Sequence, residues 1–218
     1  RAILFDWDNT LVETWNCIHV AMNVTLRHMG HAEWEIEETC RRVALSLRDA
    51  FPVMFGERWQ EAREVFYDAF RAIHLEELRP CPGAAEMLEQ LAGLGVWLGV
   101  VSNKNGEFLR REAEHLGWNR YFRRLIGATD AERDKPDAAP VWMALDGSGV
   151  TPGAEVWFVG DALVDMQCAL NAGCIPLLVR PEKPGHNEFS SHPPSRHFAG
   201  CDDLAALVRD LSVPISRI

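Results

Sequence analysis

The residues whose types and spacing could do chemistry open the chain, in the run Asp6-Trp7-Asp8-Asn9-Thr10. Two carboxylates this close together repel each other, and burial beside a core strand adds a desolvation cost, so a cation should offset them. Mg²⁺ is the simplest candidate because it prefers oxygen ligands. The same residue types are also common in turns, since Asp and Asn bond their own backbone. The run alone therefore leaves a metal site and a simple turn open.

Further polar residues follow at three later points, namely Ser102-Asn103, Lys135, and Asp161 with Asp165. Hydroxyls for phosphate oxygens, acids for a metal ion and a lysine to balance charge are together the parts of a phosphoryl-transfer site. Asp161 could instead cap the helix predicted after it, since Asp is a preferred N-cap residue. Ser102 could likewise be a turn hydroxyl.

Charge balance favours Lys135 as a functional residue. Four acids and a phosphate monoester exceed the charge of one Mg²⁺, so a further cation is required near the transferring group. Lysine is rare in this chain, with three residues against nineteen arginines. Arg133 is the rival in the same loop. Lys104 is interpreted as a solvated neighbour and most histidines as surface or loop residues, with only His19 near the first motif.

The elements that must position these residues are parallel strands. Short apolar runs predict five strands, at 2–5, 96–101, 124–127, 155–159 and 175–179. Helical periodicity fills the intervals from residue 83 onward, which is typical of a doubly wound, Rossmann-like α/β fold. Parallel strands bring their carboxyl ends to one edge of the sheet, so the polar residues after them should meet there. Residues 181–195 are predicted to be a loop and residues 202–211 a closing helix.

The stretch 14–79 interrupts this alternation with helical patterns alone. It is too long for an ordinary connection between strands. We therefore predict an all-helical cap domain at 14–79, inserted over the carboxyl edge of a core formed by 1–13 and 80–218. The Pro- and Gly-rich segment 78–83 marks the return to the core.

Composition excludes several classes of function. The net charge of −10 argues against a nucleic-acid footprint or a basic membrane-binding face. Six scattered cysteines without a C-x-x-C pair indicate reduced thiols, which predicts a cytoplasmic protein. No apolar run approaches 18 residues and no basic leader precedes the first strand, so neither a transmembrane helix nor a signal peptide is expected. Monomer and homodimer both stay open.

Four motifs in order resemble those of the haloacid dehalogenase (HAD) superfamily. They are D-W-D-N-T at 6–10, S-N-K at 102–104, Lys135 before Pro136, and G-D-A-L-V-D at 160–165. The helical insertion after the first motif is similar to the phosphoglycolate-phosphatase-like branch of that superfamily. Trp7 and Asn9 depart from its commoner residues, Phe or Leu and Gly, and Asn is less permissive than Gly at a positive backbone angle.

The resemblance implies a role for each motif residue. Asp6 would attack phosphorus and become an aspartyl-phosphate, and Asp8 would act as the general acid and then the general base. Lys135 would neutralise charge. Hydrogen bonds to the transferring phosphoryl group would come from Thr10, Ser102 and Asn103. Ligands for Mg²⁺ would come from Asp6, the backbone carbonyl of Asp8, Asp161 and Asp165.

The same resemblance separates the reactions of this superfamily. A dehalogenase lacks an acid at the position of Asp8, and phosphonate hydrolysis needs a cap lysine, whereas this chain has no lysine between residues 11 and 103. A sugar-phosphate mutase is disfavoured for the same reason, although an arginine could substitute. A non-catalytic relative that binds a phosphorylated ligand or a partner stays open.

The sequence therefore predicts a Mg²⁺-dependent phosphatase of a small phosphorylated metabolite, with phosphoglycolate phosphatase as one candidate activity. The cap should set the choice of substrate. Four cap arginines are candidate anchors for it: Arg27, Arg41, Arg42 and Arg48.

Overall fold

The computed structural model describes residues 1–43 and 45–212, so Ala44 of the predicted cap and residues 213–218 of the predicted core lie outside it. Within the described residues, six parallel strands form one sheet. Their spatial order is β5 (Arg124–Ala128), β4 (Trp97–Asn105), β1 (Ala2–Phe5), β6 (Val156–Gly160), β7 (Ile175–Val179) and β8 (Arg196–Phe198). The predicted doubly wound α/β fold is confirmed.

Strand β1 is apolar throughout because helices cover both faces of the sheet. Ile3 and Phe5 point into one layer and Ala2 and Leu4 into the other, as the two-residue period of a strand requires. The first layer contains α5 (Ala84–Gly93), α6 (Gly106–His115) and α9 (Cys201–Ser212). The second layer contains α7 (Ala139–Leu145) and α8 (Leu163–Asn171).

The register of the three central strands places the first and last motifs side by side. Phe5 of β1 pairs with Val100 of β4 and with Val159 of β6. Asp6, the residue after β1, therefore lies beside the end of β6 at the carboxyl edge. Asp6 is held there by its backbone N–H, which donates to the carbonyl of Val159 over 2.8 Å.

Four helices of the described residues lie between two short strands that pair antiparallel, β2 (Val12–Glu13) and β3 (Arg79–Pro80). They are α1 (Trp15–His28), α2 (Ile36–Arg42), α3 (Leu47–Phe55) and α4 (Trp59–Ile73). These helices have their own hydrophobic cluster, to which the core contributes Phe108 of α6. The predicted boundaries of core and cap stay a prediction, and the β2–β3 ribbon lies at both of them.

Two strands of the six-stranded sheet differ from the sequence prediction. Strand β4 runs on through the second motif to Asn105, because pairing with β5 resumes beyond a bulge after Val101. Strand β8 was not predicted, because Arg-His-Phe is too short and too polar to produce a strand pattern. None of the described helices has the length and apolar character needed to cross a membrane.

Candidate active site

The ammonium group of Lys135 lies between two carboxylates at the carboxyl edge of the sheet. Its Nζ donates to Asp6 Oδ1 over 2.6 Å and to Asp165 Oδ1 over 2.7 Å. Lys135 and Asp165 are buried, and Asp6 keeps only a small exposed fraction. Residues 129 positions apart in sequence thus form one ion network. The predicted meeting of the first, third and fourth motifs therefore takes place.

A group of three carboxylates forms the candidate metal centre. Asp6, Asp161 and Asp165 each offer one oxygen, and these oxygens lie within 4.8 Å of one another. Asp161 follows β6, and its Oδ1 accepts a hydrogen bond from the Thr10 hydroxyl over 3.3 Å. Asp165 approaches so closely that any side chain at Gly160 would collide with it. The glycine of the fourth motif is therefore a packing requirement.

The raised pKa values of these acids show that nearby positive charge does not offset their burial. Burial, with help from Asp165 and Asp8, raises the pKa of Asp6 from 3.8 to about 7, although Lys135 opposes the rise. Burial, with Asp165 and Asp6, also raises the pKa of Asp161 well above its ordinary value. Burial alone would lower the pKa of Lys135, but Asp165 and Asp6 raise it, so this lysine stays charged. One lysine does not balance three acids, which fits a site for a divalent cation.

Asn103 positions the loop that carries Lys135. Its Nδ2 donates to the Lys135 carbonyl over 3.1 Å, and its Oδ1 accepts the Lys135 N–H over 3.0 Å. The peptide bond between Lys135 and Pro136 is cis. These two hydrogen bonds make Asn103 a positioning residue for Lys135, and its predicted hydrogen bond to a phosphoryl group stays a prediction.

Ser102 of the second motif lines the cleft that contains Asp6 and Lys135, whereas Thr10 of the first motif lines an adjoining cleft. Ser102 is buried, and its Oγ accepts the Lys104 N–H over 3.2 Å.

Asn9 adopts the left-handed conformation, with φ of 59°, that Asn tolerates better than most residues. Its Oδ1 accepts the N–H of Thr14 over 3.1 Å, which ties the first motif to the start of α1. The departure from Gly at position 9 is therefore compatible with the turn.

The expectation for Lys104 was wrong. This lysine is buried instead of solvated, and its Nζ lies 2.7 Å from Asp8 Oδ1 and 2.7 Å from Glu112 Oε2. Burial alone would lower the pKa of Lys104, but Asp8 and Glu112 raise it. The rarity of lysine in this chain was used as evidence for a functional Lys135, and the same evidence was available for Lys104. A second buried lysine therefore pairs with Asp8, the other acid of the first motif.

Glu112 of α6 is the centre of this second network and was not predicted. Besides Lys104, it accepts hydrogen bonds from Trp7 Nε1 over 2.7 Å and from His74 Nδ1 over 2.8 Å. His74 is buried, so the general expectation of surface histidines fails for it. Burial alone would raise the pKa of Glu112, but Lys104, His74 and Trp7 lower it below its ordinary 4.5. Trp7 in the first motif supplies a donor that Phe or Leu lacks.

The cleft above these charges is walled by the helices between β2 and β3. Asp6, Asp8 and Lys135 form its floor. Opposite them lie apolar and aromatic side chains: Trp15, Ile18, Val43, Leu45, Leu47, Phe66, Tyr67 and Phe70. Side chains of the segment between β2 and β3 thus form part of the wall of this cleft, and the separate cap domain stays a prediction.

The candidate cap arginines do not line that cleft. Arg48 pairs with the buried carboxylate of Asp134, next to Lys135, over 2.9 Å, and so connects α3 to the loop of the third motif. Arg27 and Arg42 pair with glutamates on the surface. Arg133 is 73% exposed and lies 3.5 Å from Asp137, which leaves Lys135 as the cation of that loop at the site.

The family model for haloacid dehalogenase-like hydrolases matches residues 3–179 of this sequence. The chain belongs to that family. The predicted membership, and with it the prediction of a hydrolytic enzyme, is confirmed.

Two curated relatives and one solved structure show how far the similarity extends. This hydrolase is 29% identical to a phosphoglycolate phosphatase of Aquifex aeolicus, over 79% of this chain and 81% of the relative. It is 27% identical to the pyrophosphatase PpaX of Bacillus velezensis, over 93% and 94% of the two chains. The crystal structure of CbbY from Rhodobacter sphaeroides in complex with phosphate has the same fold, with a TM-score of 0.80 and 21% identity over 93% and 95% of the chains. The resemblance to the phosphoglycolate-phosphatase-like branch is thereby confirmed.

The network around Glu112 gives a prediction about stability. Glu112→Gln should lower the free energy of unfolding at neutral pH by about 3 kcal/mol, because removing one partner leaves buried charge uncompensated. Glu114→Gln, at an exposed position of the same helix, should change it little. Urea unfolding of both variants measures this difference.

The pH dependence of that difference follows from the lowered pKa of Glu112. The ionised carboxylate contributes stability above its ordinary pKa of 4.5, and the contribution is lost as the pH falls through the lowered value. The gap between wild type and Glu112→Gln should therefore close only in acid. A gap that is absent at pH 7 would contradict the assignment of an ionised Glu112.

Proposed function

We propose that this hydrolase is a Mg²⁺-dependent phosphatase that cleaves a small phosphomonoester through an aspartyl-phosphate on Asp6. The observation that carries the proposal is the floor of the cleft, where the ammonium group of Lys135 lies between Asp6 and Asp165. Asp8 lines the same cleft. The relatives named phosphoglycolate phosphatase and pyrophosphatase support phosphate-ester and phosphoanhydride chemistry.

Asp6 is suited to be the nucleophile. Lys135 binds it through Oδ1, so attack on phosphorus would come from Oδ2. As the new bond forms, the bond from phosphorus to the leaving oxygen breaks. Lys135 would offset the charge on Asp6 and on the transferring group, because a preorganised cation in a buried site stabilises developing charge without reorganising.

Asp8 is suited to move the protons. It would give a proton to the leaving oxygen, and it would later take one from the water that attacks the phosphoryl group and releases Asp6. Lys104, itself anchored by Glu112, fixes Asp8 through Oδ1. The carboxylate is thereby oriented independently of the acids around Lys135.

The acids also fit a metal ion. The donor set of Asp6, Asp161 and Asp165 consists of oxygen alone, and the raised pKa values of Asp6 and Asp161 show uncompensated negative charge. We infer that Mg²⁺ would be held by Asp6, Asp161 and the backbone carbonyl of Asp8, with Asp165 beside it. When bound, the ion would stabilise negative charge on the transferring phosphoryl oxygens.

The helices at 14–79 are suited to act as a lid. They wall the cleft, and they contact the core through the ion pair of Arg48 with Asp134 and the hydrogen bond of His74 to Glu112. A closed cleft excludes stray water while the aspartyl-phosphate forms. The β2–β3 ribbon, at both ends of the segment, is the expected hinge.

The alternatives are less well supported. A sugar-phosphate mutase must hold a second phosphate, and among the described residues the cap wall of the cleft offers no Lys, Arg or His for it. A non-catalytic relative has no need to gather Asp6, Asp8, Lys135 and Asp161 around one cleft. We therefore favour the phosphatase.

The nucleophile gives the first test of the proposal. Asp6→Asn should lower kcat by roughly 10⁴-fold or more, as expected for removing a nucleophile. The variant should stay folded, because the raised pKa of Asp6 shows that its ionised form is disfavoured in the metal-free protein. Steady-state hydrolysis of 4-nitrophenyl phosphate with Mg²⁺ measures the loss, and Asp146→Asn at an exposed position serves as control. Near-normal activity of Asp6→Asn would refute the mechanism.

The third motif gives a ranking of two variants. Lys135→Ala should lower kcat by roughly 10²- to 10³-fold, the range for losing one preorganised electrostatic donor. Arg133→Ala should change it little, because that side chain is largely exposed. The reverse ranking in the same assay would show that Arg133, not Lys135, is the essential cation.

The metal centre gives a test that needs no turnover. Mg²⁺ should raise the thermal unfolding midpoint of the wild type, because an ion that binds only the folded state stabilises it. Asp161→Asn should abolish most of that shift. In the wild type the shift should weaken as the pH falls below about 7, since protons then compete for Asp6. An equal shift in the variant, or one insensitive to acid, would contradict the ligand set.

A further inference from the structure

The two lysines of the cleft are already neutralised by acids. Lys135 lies within hydrogen-bond distance of Asp6 and Asp165, and Lys104 lies 2.7 Å from both Asp8 and Glu112. Both ammonium groups are almost completely buried. Neither is available to a second anionic group of a substrate without giving up a carboxylate that it holds.

The wall opposite the lysines offers, among its described residues, no other cation that could bind a second anionic group of the substrate. Within the described parts of the helices between β2 and β3, every side chain that lines the cleft is apolar or aromatic. Phe66 and Phe70 stack on each other, and Tyr67 packs edge-on against Phe108 of the core. Trp15 and Ile18 of α1 complete the face nearest the first motif.

We propose, on the basis of the phosphatase activity proposed above, that this cleft selects a phosphomonoester whose leaving group is uncharged and apolar, with an aromatic or branched-aliphatic body. The phosphoryl group would occupy the charged floor, and the leaving group would lie against Trp15, Ile18 and Tyr67. A leaving group that carries a carboxylate or a second phosphate is disfavoured. Phosphoglycolate belongs to this disfavoured class.

Desolvation is the physical reason. A carboxylate moved from water against an apolar wall loses its hydration and gains no cationic partner, which is costly even for one group. Binding of an aromatic leaving group instead removes apolar surface from water, and its ring can pack against the aromatic side chains of the wall. The few polar side chains beside the wall, Asn9, Asn105 and Tyr67, can accept a neutral hydroxyl but supply no charge.

An adjoining cleft contains arginines that could bind an anionic leaving group, and such binding would overturn the proposal. It continues past Trp15 and Val43 and is lined by Arg41, Arg79 and Arg180. Arg180 is held by Glu188 over 2.6 Å, and Glu13 and Glu77 line the same space. A substrate that placed an anionic tail on Arg41 would reverse the expected selectivity, so Arg41→Ala belongs in the test.

The first experiment compares two esters that differ by one charge. Wild-type protein with Mg²⁺ is assayed with benzyl phosphate and 4-carboxybenzyl phosphate, and phosphoglycolate is the third substrate. We expect kcat/KM to be at least about tenfold higher for benzyl phosphate than for either carboxylate. Equal or higher values for the carboxylates, especially values that fall in Arg41→Ala, would overturn the proposal.

Variants test whether the cap wall sets this preference. Trp15→Arg places a cation on the wall and should reduce the ratio of benzyl to 4-carboxybenzyl phosphate by at least about fivefold. Leu47→Arg, on α3, is a second such variant in case the first fails to fold. Trp142→Arg, at a position 59% exposed on α7, should leave the ratio unchanged. A ratio that stays the same in folded Trp15→Arg and Leu47→Arg protein would count against the wall as the determinant.

A binding measurement separates this proposal from the proposed function. Calorimetric titration with benzylphosphonate and 4-carboxybenzylphosphonate reports selectivity without turnover. Tighter binding of benzylphosphonate by protein that hydrolyses none of the esters would refute the phosphatase and support the cleft selectivity. Hydrolysis of all three esters with equal binding of the two phosphonates would support the phosphatase and refute the cleft selectivity.

Discussion

The ion network of Lys135 with Asp6 and Asp165 is the interaction on which the active site depends. Parallel strands deliver acids from distant parts of the chain to one edge, and burial there makes each negative charge costly. One buried lysine offsets part of that cost, and the raised pKa values of Asp6 and Asp161 show what it leaves uncompensated. In the proposed function, a divalent cation would offset the remaining charge of these acids, and the acids would hold the ion.

A second ion network holds Asp8, the other acid of the first motif. Lys104 connects Asp8 to Glu112, and Glu112 binds Trp7 of the same motif and His74 at the end of α4. The chain thus uses its two buried lysines for two tasks, one at each acid of the first motif. His74 thereby connects the end of α4 to the glutamate that pairs with Lys104.

Charge and apolar surface are divided between the two sides of the cleft. The sheet edge supplies almost all of the charge, whereas the helices supply an apolar and aromatic wall. This division suits an enzyme in which the core performs one fixed reaction and the cap selects the leaving group. The proposed selectivity for an apolar leaving group rests on the chemistry of this wall and not on the names of the relatives.

Local patterns in the sequence determined five of the six strands of the sheet, the helical insertion and the motif residues, because hydrophobic period and turn chemistry are local properties. The parallel-sheet rule then predicted that Asp6, Lys135 and Asp161 would meet. Only the tertiary structure decided the partners of Lys104 and Asn103, because Glu112 and the Lys135 backbone lie on other elements. It also decided that the segment between β2 and β3 turns apolar side chains to the cleft, since helical periodicity shows which residues share a face but not what that face covers.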